Sequence, residues 1–121
     1  MKMKYIVGDI LLLKDDIVKI IAVGFGYYTV WSSQDGDINY IDEKDLKPIN
    51  ITKEILINNE WEEIVNGHYK SKGSTFLDIY YLINGKWQLM LNHKPIIEIS
   101  YIHELQHFLF GMQMNYLFDY E

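Results

Sequence analysis

Residues 10–49 read ILLLKDDIVKIIAVGFGYYTVWSSQDGDINYIDEKDLKPI, and this stretch decides the architecture of the first half of the chain. Short apolar segments rich in β-branched and aromatic residues alternate with turn residues at 15–16, 24–26 and 34–36. That pattern is typical of short antiparallel strands joined by tight turns. It predicts a helical turn at 42–45 and five strands, at residues 10–13, 17–23, 27–33, 37–41 and 46–49.

The number and spacing of these strands indicate how they are arranged. Five short strands within about fifty residues favour a small β-barrel, closed or half-closed, of the Src-homology-three-like or Tudor-like kind. A barrel also buries its strand edges, which protects an apolar segment such as 17–23 from aggregation. The sequence therefore predicts a small five-stranded β-barrel in residues 1–49.

The second half, residues 50–121, predicts an α+β unit that begins after Pro48. Thr52 is suited to cap a short helix at 53–58, because its hydroxyl can accept a hydrogen bond from a backbone N–H of the first turn. An antiparallel β-meander follows, with strands at 62–65, 68–70, 75–83, 86–91 and 96–99. The Asn84-Gly85 pair predicts a two-residue type I′ turn with both residues at positive φ.

The C-terminal segment, residues 101–118, has helical spacing. Four apolar side chains share one face at about 100° per residue and form the predicted contact with the sheet: Ile102, Leu105, Leu109 and Met112. The sequence thus predicts a long C-terminal helix packed on the meander, and the fold class of the whole chain is α+β.

Composition excludes several classes of protein. Of the 121 residues, 49% are hydrophobic and 23% are charged, which excludes a disordered or collagen-like chain. There is no cysteine, so disulfides and thiolate metal sites are excluded. The apolar runs are too short to span a bilayer, and the first fifteen residues lack a signal-peptide apolar region. These features predict a cytoplasmic protein without a membrane partner.

The charges argue against nucleic acid as a partner. The formal net charge is -6, and all 11 basic residues are lysines scattered along the chain. Phosphate and guanine are usually read by the planar fork of arginine, and a nucleic-acid surface is a clustered basic patch. The sequence predicts neither nucleic-acid binding nor a cofactor.

Residues 103–107 read His-Glu-Leu-Gln-His and match the zinc-protease pattern H-E-x-x-H. On a helix, His103 and His107 share a face and could bind one Zn²⁺, with Glu104 as the general base. A catalytic zinc needs a third protein ligand, and the extended patterns that would supply it are not present after His107. We favour the interpretation that the two histidines bind no metal and lie on a partly exposed, partner-facing surface, away from the core.

Two groups of exposed side chains are candidates for protein binding. One is the outer face of the C-terminal helix, which is too apolar for a solvated face at Phe110, Met114 and Phe118. The other is aromatic: Tyr27, Tyr28, Trp31 and Tyr40 lie on adjacent predicted strands. Alternation places Tyr27 and Trp31 on one face of their strand, while Tyr28 and Val30 lie on the other. Such aromatic side chains can form cages for cationic or proline-rich ligands, or can simply belong to the core.

Two runs carry a resemblance to known sequences: residues 46–56 (LKPINITKEIL) and residues 101–108 (YIHELQHF). They resemble small uncharacterised proteins of gut bacteria and of their phages and mobile elements. That resemblance implies no activity, and it implies that H-E-x-x-H is not a catalytic signature there, since asparagine replaces the histidine that matches His107.

Together these observations predict a non-enzymatic protein-interaction module whose partner is another protein or a second copy of the chain. The competing hypothesis is a minimal zinc-dependent hydrolase built on His103, Glu104 and His107.

Overall fold

Two five-stranded antiparallel sheets contain most of the regular secondary structure in the residues that the structure describes. The structure is a computed structural model, and it describes residues 3–74 and 76–111. The chain divides into two units, residues 1–49 and residues 50–121, and each unit contains one of the sheets.

The first unit contains the sheet with the strand order β4-β3-β2-β1-β5. A 3₁₀ turn at Glu43–Asp45 precedes the last strand, and the Asp42 side chain caps it by accepting a hydrogen bond from the Lys44 N–H. The strands are β1 (Ile10–Leu13), β2 (Asp16–Val23), β3 (Tyr28–Ser32), β4 (Gly36–Ile41) and β5 (Leu46–Lys47). Their bounds differ from the predicted ones by two residues at most, because turn residues punctuate the sequence clearly.

The core of this unit follows from the alternation of side chains along the strands. Val18 and Ile20 on β2 pack with Tyr28 and Val30 on β3, and all four are almost fully buried. The same cluster includes Tyr5, Leu11 and Leu46. Burial of each large apolar side chain contributes about 1.5–3 kcal/mol, so this one face of the sheet is the principal source of the unit's stability.

The predicted barrel is wrong: the first unit is an open sheet. Strands β4 and β5 lie at its two edges, and among the described residues no pairing joins them. The reason lies in β5, which has only two residues and pairs with β1 through Leu12↔Lys47 and Leu13↔Leu46. Pro48 follows directly and has no N–H to donate to a ladder, as is common at an edge strand.

The second unit contains a meander in which each strand pairs with the next, in the order β10-β9-β8-β7-β6. Helix α1 (Lys53–Asn58) precedes it, and the Thr52 hydroxyl accepts a hydrogen bond from the Ile55 N–H, so the predicted helix and its cap are confirmed. The strands are β6 (Trp61–Val65), β7 (His68–Ser71), β8 (Leu77–Tyr81), β9 (Trp87–Leu91) and β10 (Lys94–Ile99).

The turn between β8 and β9 differs from the predicted type I′ turn. The Gly85 N–H donates to the Leu82 carbonyl at 3.1 Å, and Gly85 alone of the pair has positive φ, at 84°. The Asn84 side chain instead accepts a hydrogen bond from the Lys86 N–H at 3.0 Å. This is a longer hairpin loop that ends in a left-handed glycine, a geometry that uses glycine at one position and lets asparagine cap the turn.

The prediction of a long C-terminal helix is also wrong. Helix α2 has ten residues, Ile102–Gly111, and buries Ile102, Leu105 and Leu109 as predicted. Residues 112–118, the rest of the predicted helix, lie outside the described residues. The predicted core residue Met112 lies outside the described residues. In the part of the chain that the structure describes, neither helix has the length and apolar character needed to cross a bilayer.

Candidate functional site

The hairpin that joins β2 to β3 presents an aromatic side chain to solvent. The Gly24 N–H donates to the Tyr27 carbonyl at 2.9 Å, and Gly26 has φ 79°, a conformation that favours glycine. Phe25 lies between these glycines, and its side chain is fully exposed. A phenylalanine that contacts so little of its own fold contributes little to stability, so it is a candidate for contact with another molecule.

A second aromatic residue, Tyr40, joins this tip from β4. The pairing of β3 and β4 is irregular between Tyr28 and Val30, and Tyr40 lies in that irregularity with φ 61°. Left-handed backbone is costly for a bulky side chain, and such strain is concentrated at functional sites. The Tyr40 ring is 81% exposed and stands at 85° to the ring of Tyr27, with 6.1 Å between the centroids.

We call the four side chains Val23, Phe25, Tyr27 and Tyr40 the tip patch. All four are exposed, and two hollows adjoin them. The first has a volume of about 320 Å³ and is lined by Ala22, Val23, Gly24, Phe25, Tyr27, Tyr28, Thr29 and Tyr40. The second, of about 290 Å³, is lined by Met3, Val23, Gly24, Phe25 and Gly26. Both hollows are lined by uncharged residues, which suits an apolar or aromatic-seeking group of a partner.

Tyr28, one of the residues around the first hollow, is fixed by two hydrogen bonds. Its hydroxyl accepts a hydrogen bond from the Tyr5 N–H at 3.1 Å and donates one to the Glu43 carboxylate at 2.7 Å. Burial, together with the bond to Glu43, raises the pKa of Tyr28 to about 12. The Lys4 N–H, and then the Tyr28 hydroxyl, hold the pKa of Glu43 below its ordinary value. Glu43 is therefore a carboxylate at neutral pH.

The predicted distribution of aromatic residues along β3 is confirmed. Tyr28 and Val30 are buried, whereas Tyr27 and Trp31 are about half exposed on the other face. Trp31 is not close to Tyr27 along the strand, because four residues of extended chain span about 13 Å. Its cross-strand neighbours are Lys19 on β2 and Asp37 on β4. Trp31 is thus a separate exposed aromatic residue.

The two histidines of the H-E-x-x-H motif lie early in α2, as predicted. Their ring centroids are 5.5 Å apart, and the His103 ring stacks on Tyr101 at 5.8 Å. His103 is buried, 6% exposed, whereas His107 is partly exposed. The expectation that both histidines lie away from the core therefore fails for His103. The reason is that the first helical turn is enclosed on more sides than a helical wheel suggests.

Glu104 has a structural contact that the sequence interpretation missed. Its Oε1 accepts hydrogen bonds from the Ser100 N–H at 2.8 Å and the Tyr101 N–H at 3.0 Å. A glutamate at the third helical position commonly reaches back in this way to satisfy N–H groups at the helix start. The carboxylate that would serve as the general base of a zinc site thus caps α2.

Within residues 3–74 and 76–111, no group of three or more histidine, aspartate or glutamate side chains is placed to hold a metal ion. The candidate ligands His103 and His107 thus have no third protein ligand in that part of the chain. Of the other histidines, His68 contacts Asp78, with 2.8 Å between Nε2 and Oδ2, and stacks on Tyr80 at 4.1 Å.

The capping role of Glu104 can be separated from catalysis by substitution. We expect Glu104→Ala to lower the free energy of unfolding by about 0.5–2 kcal/mol, the usual loss for a helix cap. Glu104→Gln should retain most of the stability, because the glutamine carbonyl can still accept from Ser100 and Tyr101. Urea denaturation followed by circular dichroism measures both. Equal stability of Glu104→Ala and the wild type would contradict the cap.

The predicted strip on the outer face of α2 is described only at its first residue. Phe110 is 60% exposed, as expected for a residue on that face. Met114 and Phe118 lie outside the described residues. Phe110 alone remains a candidate binding residue there.

A third hollow of the first unit, about 750 Å³, is less informative than the tip patch. Its floor includes the apolar residues Leu13, Val18, Ile38 and Ile41. Its rim carries charges of both signs: Lys14, Asp15, Asp16, Asp35, Lys44, Asp45 and Lys47. A rim of mixed charge favours no ligand class.

The comparisons with known proteins bear on neither surface. No family model matches the chain, and no curated protein or solved structure matches it either.

Phe25 was missing from the predicted binding residues, which were Tyr27, Trp31, Phe110, Met114 and Phe118. Tyr40 was named among the aromatic side chains of adjacent strands but was not kept as a binding residue. The Gly24-Phe25-Gly26 run was a usable signal, because an apolar residue between two glycines in a hairpin turn has nothing to pack against. The conformation of Tyr40 gave no such signal, since it depends on the irregular pairing with β3.

Proposed function

We propose that this chain is a non-enzymatic protein-interaction module that binds a partner protein through the tip patch. The observation that carries the proposal is Phe25, a fully exposed aromatic side chain at the end of a hairpin. Aromatic residues at protein interfaces supply much of the binding energy when they enter a pocket of the partner. The tip patch offers three of them on one edge of the molecule.

A second support is the rigidity of the surface below the tip. Tyr28 is buried and bonded at its hydroxyl to both Tyr5 and Glu43, and the hairpin itself is closed by the Gly24–Tyr27 hydrogen bond. A surface that is ordered before binding loses less conformational entropy when the partner docks. The tip patch therefore suits recognition by a preformed surface.

Site-specific photocrosslinking tests the proposal in cells that produce the chain. The photoreactive amino acid benzoylphenylalanine replaces Phe25 in one variant and Ile83 in a matched control. Ile83 is also fully exposed and lies in a hairpin loop, between β8 and β9. We expect a discrete crosslinked protein from position 25 that is not formed from position 83, and its yield should fall when Tyr40→Gly is added.

Two outcomes would overturn the proposal. One is the same set of crosslinked proteins from both positions, or none from position 25, which would make the tip patch an ordinary exposed surface. The other concerns the competing hydrolase: about one equivalent of zinc in the purified protein, lost on His107→Ala, would establish a metal site at H-E-x-x-H.

A further inference from the structure

The aromatic rings of the tip patch also indicate which chemical group the partner presents. Tyr27 and Tyr40 stand at nearly a right angle, 85°, with 6.1 Å between their centroids. We call this pair the aromatic corner. It borders the hollow of about 320 Å³.

We propose that the aromatic corner binds the ammonium end of a lysine side chain on the partner protein. This inference rests on the proposed function and names the partner group that the same site recognises. The faces of aromatic rings carry negative charge density, so several rings around one hollow attract a cation. The four carbons of a lysine stem would contact the apolar wall formed by Val23 and Phe25.

The charges near the hollow are complementary to a cation. The residues that line it include no lysine, so none of them would repel a bound cation. The chain as a whole carries a net charge of -6, which favours the approach of a basic partner.

The backbone of Tyr40 supports a binding role for its ring. A left-handed conformation costs an ordinary residue of this kind about 1–2 kcal/mol, and the 81% exposed ring makes few contacts that would offset this. The strained backbone holds the Tyr40 ring at 85° to the ring of Tyr27, at the border of the hollow.

A titration with two small compounds tests the chemistry directly. N-acetyl-lysine-N-methylamide carries the ammonium group, and N-acetyl-norleucine-N-methylamide has a similar carbon chain without it. Binding is followed by the NMR shifts of the ring protons of Tyr27 and Tyr40. We expect the lysine compound to bind roughly fivefold more tightly than the norleucine compound, the usual advantage of an exposed cation–π contact.

Two variants of the same residue serve as test and control. Tyr40→Gly removes the ring and suits the left-handed backbone, so the fold should be kept while the preference for lysine is lost. Tyr40→Phe keeps a ring with the same negatively charged face, so the preference should be retained. Loss of the preference in both variants would show that the hydroxyl, not the ring face, recognises the ligand, and would overturn the proposal.

The remaining outcomes separate this inference from the proposed function. Equal binding of the lysine and norleucine compounds, or no binding of either, would overturn the inference, while the crosslink at position 25 could still establish the interface. Choline, tested in the same way, distinguishes the source of the cation: shifts with choline and none with the lysine compound would assign the corner to a different ligand and would also overturn the proposal.

Discussion

Replacing Leu105 with alanine should lower the free energy of unfolding by about 2–5 kcal/mol, the usual effect of truncating a fully buried leucine. Leu105 is 0% exposed and lies on the buried stripe of α2 with Ile102 and Leu109. The shortened side chain leaves a cavity that a ten-residue helix cannot close by shifting without losing its other buried contacts. Urea denaturation of the two proteins, monitored by circular dichroism, measures the difference.

The control lies on the same helix. Phe110 is exposed, so Phe110→Ala should change the free energy of unfolding by no more than about 0.5 kcal/mol. Both substitutions give alanine and therefore both remove a large apolar side chain from a helical position. A similar loss of stability in the two variants would contradict the placement of the buried stripe.

The second large effect is expected from Tyr28→Phe in the first unit. The substitution removes one hydroxyl that accepts from the buried Tyr5 N–H and donates to Glu43. A buried N–H without a partner costs about 1–3 kcal/mol, and phenylalanine leaves the packing of the ring unchanged. We expect a loss in that range by urea denaturation. Tyr80→Phe, a substitution at a tyrosine of the other unit that is 36% exposed, should be close to neutral.

The same hydroxyl makes stability depend on alkaline pH. The pKa of Tyr28 is raised from 10.0 to about 12 in the folded protein, so folding favours the protonated phenol. That contribution is complete below pH 10 and is lost as the pH rises toward about 12. Tyr69, bonded to Glu63 and with its pKa also raised to about 12, adds to the loss in the same window.

At acidic pH, stability depends on pH in the opposite direction. The pKa of Glu43 is lowered, chiefly by the Lys4 N–H and then by the Tyr28 hydroxyl. Its contribution to stability is therefore present above the ordinary carboxyl pKa and is lost as the pH falls through the lowered one. Tyr28→Phe should therefore reduce both the loss of stability at alkaline pH and the loss of stability at acidic pH. A variant with the wild-type pH profile would contradict the hydrogen bond between Tyr28 and Glu43.

The sequence was most informative where structure is local. Helix α1 and its Thr52 cap were predicted correctly, because the cap hydrogen bond joins residues three apart. The five strands of each half were recognised from β-branched segments and turn residues, and alternation along β3 separated buried Tyr28 from exposed Tyr27. These features depend on neighbouring residues, so a single sequence contains the necessary information.

The candidate site was predicted less completely. Tyr27 was identified from its face of the strand, but its partner was expected to be Trp31, which lies about 13 Å farther along the strand. The ring that does contact Tyr27 comes from Tyr40, on a different strand. H-E-x-x-H was recognised as a motif, whereas the bonds from the Ser100 and Tyr101 N–H groups to Glu104 were not. The residue directly before α2 is Tyr101, not the serine or threonine that usually marks a capping box.

The sequence alone therefore determined the elements, their turns, the absence of cysteine and arginine, and which side of most strands is apolar. The tertiary structure decided that the first sheet stays open, with β4 and the two-residue β5 at its edges. It also decided that His103 is buried and that Tyr40 takes a left-handed conformation beside Tyr27. These properties arise from contacts between residues distant in sequence, whose pairing is set by the packing of whole strands and helices.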